Sequence, residues 1–330
     1  MDRTTPYWVL LTLGQFVQAT AGWCDEPLRI AFTVRDDRLE ITAGTAPVAT
    51  YVFRDPVIPR PYFAHLFAPG GLQVSRHHPP RPGVDATDHD KFHPGLWMAF
   101  GDLSGHDSWR LKAAVRHVEF VTPPTGGPGR GTFGVVDRYC ENEREDEEIC
   151  RATSHYTIVA RPHGYLILLD TVFTSPAGKE FAFGDQEEMG VGIRVATPLA
   201  VKQGGRMLDS EGRLNESQIW GKAAPWCDYS GRLNDHEAGI LLMAAPDQFR
   251  VTRWHARDYG FLAANAFGNR VFKLGEAQRT AVAANHSLQL RYGVLLHATP
   301  VGMPLDLAAE FAAYVQELSQ RPAAGRTRAD

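Results

Sequence analysis

The stretch Thr153–Thr174, TSHYTIVARPHGYLILLDTVFT, decides the fold class. Its two halves, Thr153–Ala160 and Tyr165–Thr174, are rich in β-branched, aromatic and aliphatic residues, which favour strands. The intervening Arg161-Pro162-His163-Gly164 has the composition of a tight turn. The sequence therefore predicts an antiparallel β-hairpin.

Strand-like segments recur on both sides of this hairpin. Leu28–Val34 and Arg38–Thr42 flank a turn at Asp36-Asp37. Further segments of this kind are Thr132–Tyr139, Gly190–Ala196, Ala238–Ala244 and Ser287–His297. Because strands do not alternate with helical patterns, a parallel α/β fold is disfavoured. We expect an all-β fold, a large antiparallel β-sandwich.

One helix is predicted near the end of the chain, opened by Pro304. Its apolar residues fall on one face, at Leu307, Phe311, Tyr314 and Leu318. Residues 25–320 are expected to form a single domain. Residues 321–330 are polar and are expected to form a disordered tail.

Composition excludes several classes of function. The 330 residues include 34 Lys and Arg against 38 Asp and Glu, a net charge of −4, which argues against a nucleic-acid partner. No apolar run approaches the roughly 18–20 residues of a bilayer-spanning helix, so no transmembrane segment is predicted.

The N-terminal segment resembles a signal peptide. Arg3 precedes the apolar stretch Tyr7–Leu13, and Ala19-Thr20-Ala21 fits a cleavage site. This pattern predicts a signal peptide over residues 1–21 and a periplasmic or extracellular location. The alternative is a first strand or helix, in which case the protein would be cytoplasmic.

The four cysteines are Cys24, Cys140, Cys150 and Cys227. Cys140 and Cys150 bracket an acidic stretch at the tip of a predicted hairpin. They would form a disulfide in an oxidising compartment and remain thiols otherwise. The absence of C-x-x-C spacing argues against a cysteine zinc site.

The segment Asp88–Trp109 carries the first concentration of chemical groups. We predict catalytic roles for His89 and His93, which are also the candidate ligands of a divalent metal. Asp107 and Trp109 are predicted to bind substrate. In the alternative reading this is a polar loop whose histidines bond to backbone carbonyls.

A second concentration is Phe183–Gly190, which leads into Arg194. Glu187 and Glu188 are predicted catalytic carboxylates. Adjacent side chains at the start of a strand point to opposite faces, so only one should face a given pocket. Arg194 is predicted to bind substrate, and the alternative is a solvated acidic turn.

A third concentration is Trp220–Gly231. Trp226 and Tyr229 lie there beside polar groups, as on a sugar-binding surface, and are predicted to contact substrate. Tryptophan is equally a core residue, so a core position is the alternative.

The fourth concentration crowds ionisable groups into Trp254–Gly260. A core strand cannot bury so many without partners. We predict a pocket with catalytic groups at His255, Arg257, Asp258 and Tyr259. Asn265, slightly further along, is predicted to bind substrate.

The segments Asp88–Trp109, Asp185–Arg194, Trp220–Gly231 and Trp254–Gly268, in this order, resemble a bacterial family labelled "methane oxygenase PmoA", otherwise of unknown function. The resemblance covers most of the chain from about Leu28. It implies a β-sandwich similar to the galactose-mutarotase supersandwich, and a link to carbohydrate breakdown.

The chain departs from this family at one position. Many relatives carry two adjacent histidines before Gly-Leu-Trp, whereas Phe92 precedes His93 here, so a His-pair metal site is not carried over. Methane oxidation is not expected either, because the genuine methane-oxidising subunit is built of transmembrane helices.

Two functions fit these observations. The favoured one is a carbohydrate-active lyase, hydrolase or epimerase that acts on a sugar or oxidised sugar by His/carboxylate acid–base chemistry. The expected partner is a carbohydrate or another small-molecule substrate. The alternative is a non-catalytic glycan-binding module. Dense ionisable groups favour the enzyme, since binding modules need mainly aromatic and amide groups. No cofactor beyond the divalent metal is indicated.

Overall fold

The computed structural model describes residue 1 and residues 28–142, 147–175 and 178–320. The predicted signal peptide, Cys24, the domain start at residue 25 and the tail at 321–330 lie outside the described residues. Export and the domain limits therefore stay predictions.

Twenty strands and two α-helices, besides short 3-10 turns, form the fold of the described residues. The first ten strands are β1 (Ile30–Val34), β2 (Arg38–Ala43), β3 (Ala46–Val52), β4 (Tyr62–Ala64), β5 (Phe67–Ala68), β6 (Leu72–Gln73), β7 (Leu96–Phe100), β8 (Val115–Gly126), β9 (Arg130–Cys140) and β10 (Glu148–Arg161). The others are β11 (Gly164–Thr174), β12 (Phe181–Phe183), β13 (Met189–Arg194), β14 (Arg206–Asp209), β15 (Trp226–Leu233), β16 (His236–Ala244), β17 (Arg253–Arg257), β18 (Phe261–Asn265), β19 (Thr280–Val282) and β20 (Ser287–Pro300). The helices are α1 (Asn215–Ile219) and α2 (Leu307–Ser319).

Two eight-stranded antiparallel sheets pack face to face. The first has the order β1-β2-β3-β4-β7-β13-β18-β17, and the second β14-β15-β16-β20-β11-β10-β9-β8. A continuous apolar core fills the space between them. The predicted antiparallel β-sandwich with a C-terminal helix is therefore confirmed.

The predicted hairpin forms the centre of the second sheet. β10 pairs with β11 so that Thr153 faces Val172 and Arg161 faces Gly164 across the turn. Ile167 points into the sandwich core, whereas Leu168 packs beneath α2 on the opposite face. β11 is apolar along almost its whole length because both of its faces are buried.

Helix α2 covers the outer face of the second sheet. It begins at Leu307, later than Pro304, because the carboxylate of Asp306 accepts a hydrogen bond from the backbone N–H of Ala309 and caps the helix. Tyr314, on the inner face of this helix, is fully buried against Gly293 of β20. No helix in the described part of the chain is long and apolar enough to cross a membrane.

Antiparallel strands flank the acidic stretch between Cys140 and Cys150, since β9 ends at Cys140 and β10 begins at Glu148. Residues 143–146 of this stretch lie outside the described residues. Both cysteines are buried, and burial raises the pKa of the Cys150 thiol. The disulfide between them stays a prediction.

The two eight-stranded sheets have four edge strands, β1, β17, β14 and β8. Three of these form a backbone hydrogen bond with a neighbouring segment. At β1, Ile30 N–H donates to the carbonyl of Gly127, in the loop after β8. At β17, Trp254 N–H donates to the carbonyl of Lys222. At β14, Asp209 N–H donates to the carbonyl of Arg213. The fourth edge strand, β8, contacts β1 and has several register shifts against β9.

Candidate functional site

The candidate site lies on the outer face of the first sheet, over β7, β13, β18 and β17. Register places Gly192 of β13 between Trp97 of β7 and Ala263 of β18. A Cβ atom on Gly192 would lie 2.6 Å from Trp97 and 2.9 Å from Trp109. Glycine is needed here because both indoles pack directly on the strand.

A cavity of about 120 Å³ lies beside the indole of Trp109. This volume is below the roughly 300–1,000 Å³ of pockets that enclose drug-sized ligands, so it suits a small group or one end of a larger ligand. Its walls are His89, Phe92, His93, Trp109, Arg110, Glu188, His255, Tyr259 and Phe261.

Near-parallel rings build one wall of the cavity. The His93 ring stacks on Phe261, Trp97 and His89, with centroids 4.7, 5.0 and 4.9 Å away. His89 in turn stacks on Tyr259 at 5.7 Å. Burial, reinforced by the charge of nearby arginines, lowers the pKa of His93 well below its usual value, so this imidazole is neutral.

A buried arginine holds the loop that carries His89 and His93. The Arg76 guanidinium donates to the carbonyls of Ala86, Asp88, His89 and His93. Burial lowers the pKa of Arg76 only to about 10, so it stays charged near neutral pH. Charged donors form strong hydrogen bonds, which fix the path of this loop.

A second buried arginine acts in the same way. Arg60 donates to the carbonyls of Phe92, Ser108 and Trp109, and its guanidinium lies 5.5 Å from the Trp97 ring centroid. It thereby ties the two loops that flank the cavity to each other.

Arg194 was predicted to bind substrate, but it is occupied within the protein. It is 1% exposed and makes a bidentate ion pair with Asp88, at 2.7 and 3.0 Å. Burial opposes ionisation of Asp88, but the bonds from Arg194 and His89 outweigh it and lower the Asp88 pKa to about 2. Arg194 also lies 4.6 Å from the Tyr259 ring centroid, so it positions the cavity wall.

His255 has the most distinctive environment in the cavity. Its Nδ1 lies 3.1 Å from the backbone carbonyl of Glu187, which only accepts, so Nδ1 carries the proton. Its Nε2 therefore has a lone pair, and it has no hydrogen-bond partner among the described residues. Burial, followed by the charge of Arg257, lowers the pKa of His255 to about 3, which keeps the ring neutral.

The two adjacent glutamates take different positions. Glu188 lines the cavity in an ion pair with Arg110, which is also held by Asp107. Glu187 is not part of the lining; its Oε2 lies 3.3 Å from Arg257 and 3.8 Å from His255 Nε2. Asp107, predicted to bind substrate, instead orients Arg110 through its backbone N–H and its guanidinium.

Arg257 and Asp258 were predicted to be catalytic, but both are bound to α1. Arg257 bridges Glu187 and Glu216, at 3.3 and 3.4 Å. The carboxylate of Asp258 accepts from the backbone N–H of Glu216, whose carboxylate accepts from the backbone N–H of Asp258. This reciprocal pair stabilises the turn before Tyr259 and leaves Asp258 outside the cavity lining.

Asn265, predicted to bind substrate, is fully buried and fully bonded. Its amide donates to the carbonyls of Gln186 and Glu187, and its oxygen accepts from the N–H groups of Phe267 and Gly268. It thus holds the same Glu187 carbonyl that fixes the His255 tautomer.

The structure does not bring Trp226 and Tyr229, which were predicted to contact substrate, to this cavity. Both lie on β15 of the second sheet, away from the cavity. Trp226 packs in the cluster beneath α2. The Tyr229 hydroxyl donates to the carbonyls of Arg257 and Asp258 from within the core.

The divalent-metal prediction does not fit this geometry. Among the described residues, no group of three or more His, Cys, Asp or Glu is arranged to hold a metal. The rings of His89 and His93 are stacked at 13°. Imidazole lone pairs lie in the ring plane, and near-parallel planes do not share a point for a common ion.

Six predicted site residues line the cavity: His89, His93, Trp109, Glu188, His255 and Tyr259. Sequence analysis missed Phe92, Arg110 and Phe261 as lining residues, and Arg60 and Arg76 as their supports. Arg110 directly follows the segment Asp88–Trp109 that was singled out, so its position was a usable signal. The buried roles of Arg60 and Arg76 depend on distant carbonyls and leave no local pattern.

Solved structures with some similarity to the chain include two galactosidases. One is the GH36 α-galactosidase AgaB from Geobacillus stearothermophilus, at 11% identity and TM-score 0.45, covering 82% of this chain and 41% of that one. Another is the galactosidase domain of the α-galactosidase-sucrose kinase AgaSK, at 10% identity and TM-score 0.40, covering 82% and 42%. The chain thus spans about two fifths of the length of each.

A third is the Slr1438 protein from Synechocystis sp. PCC 6803, at 12% identity and TM-score 0.32, covering 84% of this chain and 97% of that one. These likenesses are too distant to bear on the site. No curated protein matches the chain. A family model does match residues 38–311, and it describes a family of unknown function (DUF6807).

Proposed function

Because the chain belongs to DUF6807, a family of unknown function, we propose its function from the site itself: a carbohydrate-active enzyme that uses His/carboxylate acid–base chemistry on a sugar or oxidised sugar. One observation carries the proposal. His255 is buried and neutral, its Nε2 has no hydrogen-bond partner among the described residues, and it lines the same cavity as Glu188.

His255 is the proton acceptor in this proposal. A hydroxyl or an activated C–H of the ligand would give its proton to Nε2, whose lone pair is kept available by the Nδ1–H bond to the Glu187 carbonyl. The imidazolium formed is stabilised by the Glu187 carboxylate, 3.8 Å from Nε2. Burial and the charge of Arg257 lower the pKa of His255 to about 3, so the ring is unprotonated but only weakly basic before the ligand binds. The proposal therefore requires that the bound ligand raise this pKa toward neutral.

Glu188 and Arg110 are the complementary charged pair. The carboxylate accepts hydrogen bonds from ligand hydroxyls, and the guanidinium stabilises negative charge that develops on a ligand oxygen. Arg110 is chosen for this role over Arg194 and Arg257 because it lines the cavity and those two do not.

The ring-lined walls support a sugar ligand. Tyr259, Phe261 and Trp109 make part of the lining apolar, which suits the C–H groups at one end of a sugar, while His255 and Glu188 would accept from its hydroxyls. In all three candidate reactions, those of a lyase, a hydrolase or an epimerase, the step proposed for this site is a proton transfer. The PmoA label is not part of the family's description, and methane oxidation is not part of the proposal.

Proton NMR in D2O tests this proposal without prior choice among the three reactions. The purified protein is incubated with neutral glycosides, uronic acids and ketosugars. Hydrolysis gives new anomeric signals, elimination gives a vinyl proton, and epimerisation exchanges a C–H for deuterium. We expect one of these for wild type and a loss of at least ~100-fold for His255→Ala.

The matched control is His286→Ala, which removes an exposed histidine outside the cavity lining and should retain wild-type turnover. Turnover that survives His255→Ala would contradict the proposal. A sugar that binds in saturation-transfer experiments and is never converted would favour the glycan-binding module instead.

A further inference from the structure

A second cavity adjoins the candidate site. It measures about 450 Å³ and is lined by Gly101, Gly105, His106, Asp107, Arg110, Lys112, Glu141 and Gln186. Arg110 belongs to the linings of both cavities. The Arg110 side chain is therefore a wall common to both spaces, and Glu188, its ion-pair partner, lines the inner one.

Neighbouring residues hold the Arg110 side chain in place. Asp107 accepts from the backbone N–H of Arg110 at 2.9 Å and from Nη1 at 3.0 Å, while Nη2 pairs with Glu188. A Cβ atom on Gly101 would lie 3.3 Å from Arg110 Nη1 and 3.1 Å from the Glu188 carbonyl oxygen. The glycine leaves room for the guanidinium between the two cavities.

The walls of the two cavities differ in chemistry. The inner cavity is small and ring-lined, whereas the outer one is wider and lined mainly by polar groups. The outer lining carries both signs of charge, with Lys112 and Arg110 against Asp107 and Glu141. A wall of mixed charge suits a neutral, hydroxyl-rich group better than a strongly charged one.

Two outer side chains are available for a ligand. The backbone carbonyl of Gln186 is fixed by Asn265, but its side-chain amide has no hydrogen bond among the described residues. Lys112 extends into solvent, 73% exposed, with its nearest carboxylate, Asp107, at 3.9 Å. Both can bind hydroxyls without first breaking a strong internal bond.

We propose that the outer cavity is a second sugar subsite, so that the ligand has at least two sugar units joined beside Arg110. One unit enters the ring-lined cavity and the next lies against Gln186 and Lys112. This inference rests on the proposed function for the choice of sugars.

Binding to a glycan array of mono-, di- and trisaccharides with shared terminal sugars tests the subsite, followed by calorimetry with the best disaccharide and its terminal monosaccharide. We expect the disaccharide to bind ~10-fold or more tightly than the monosaccharide. The double variant Gln186→Ala/Lys112→Ala should lose most of this gain and leave monosaccharide affinity unchanged. The control Gln316→Ala/Lys179→Ala, at exposed positions outside both linings, should behave as wild type.

Equal affinity for the two sugars, an unaltered double variant, or no binding to any glycan would each overturn the subsite. The experiments distinguish a failure of the subsite proposal from a failure of the proposed catalytic chemistry. A protein that converts sugars but ignores their length refutes only the subsite. Length-dependent binding without conversion refutes only the chemistry.

Discussion

His255 shows how one residue's environment fixes its chemistry. Its Nδ1 donates to a carbonyl, its Nε2 is unpartnered, and burial keeps it neutral. A buried neutral histidine also makes stability depend on pH, since the unfolded chain binds a proton that the folded protein excludes.

The sign of this dependence is set by a folded pKa of about 3 against an ordinary value of 6.5. The stability is fully present above pH 6.5 and is lost as the pH falls toward 3. In urea unfolding at pH 7 and pH 4.5, we expect wild type to lose about 2 kcal/mol more than His255→Asn between the two values.

His286→Asn should follow wild type in the same experiment, because its histidine is exposed. His78 and His93 are unchanged in both proteins, so the difference isolates His255. Parallel pH profiles for wild type and His255→Asn would show that position 255 is not protonated on unfolding.

Asn265 is a positioning residue for His255. Asn265→Asp keeps the acceptor for the Phe267 and Gly268 N–H groups but loses the donors to the Gln186 and Glu187 carbonyls. We expect a loss of about 2 kcal/mol or more in the free energy of unfolding. Imidazole ¹⁵N shifts should also move away from the Nδ1–H tautomer of His255.

The control for this prediction is Asn269→Asp, whose amide bonds the Glu276 carbonyl and does not contact Glu187. It should leave the His255 tautomer unchanged. An unaltered His255 signal in Asn265→Asp would contradict the positioning role.

The dense ionisable segment that the sequence singled out does bring His255 and Tyr259 to the cavity lining. Arg194 and Asn265, chosen because they are polar and near the same motifs, are instead bonded within the protein. Their partners lie far away in sequence, Asp88 being 106 residues from Arg194. A single sequence does not show whether a polar side chain meets a distant partner or a ligand.

At the scale of elements, the loop after β6 depends on the buried guanidinium of Arg76. Arg76→Leu removes the donor shared by four carbonyls between Ala86 and His93. We expect amide hydrogen exchange over residues 86–93 to accelerate by ~10-fold or more, with smaller changes in β10 and β11. Arg81→Leu, at an exposed position of the same loop, should leave exchange unchanged.

The contact between β20 and α2 gives a second element-scale prediction. A Cβ atom on Gly293 would lie 2.7 Å from Tyr314 Cδ2. Gly293→Ala should cost about 1–3 kcal/mol in unfolding free energy, and less when Tyr314→Ala is already present, because the clash is then gone.

Gly127→Ala is the control for this cycle, because its added methyl meets nothing closer than 3.4 Å. Strict additivity of Gly293→Ala and Tyr314→Ala would refute the direct contact.

Elements with strong local patterns were predictable. β10, β11 and α2 match the predicted segments, because alternation, turn residues and the 3.6-residue period are local properties. Even so, α2 starts at Leu307 rather than Pro304, since the cap is the Asp306 side chain. Short strands such as β4 and β6 have too few residues to show a period.

For the whole molecule, composition and strand-like patterns were enough to predict an antiparallel sandwich. The strand order was not predictable: β7 lies beside β13, and β11 beside β20, across long connections. That order brings the motifs around Asp88, Glu188 and His255 onto one outer face. The site is thus a product of topology, which adjacent residues do not reveal.

The covered edges of the two sheets have a consequence for behaviour at high concentration. Open edges expose unpaired backbone groups, to which a second chain can add a strand, the first step toward aggregates and fibrils. In this protein the groups at Ile30, Trp254 and Asp209 are already occupied by other segments of the same chain. At these three positions the backbone N–H is not available to a second chain, and loss of the covering segments would make it available.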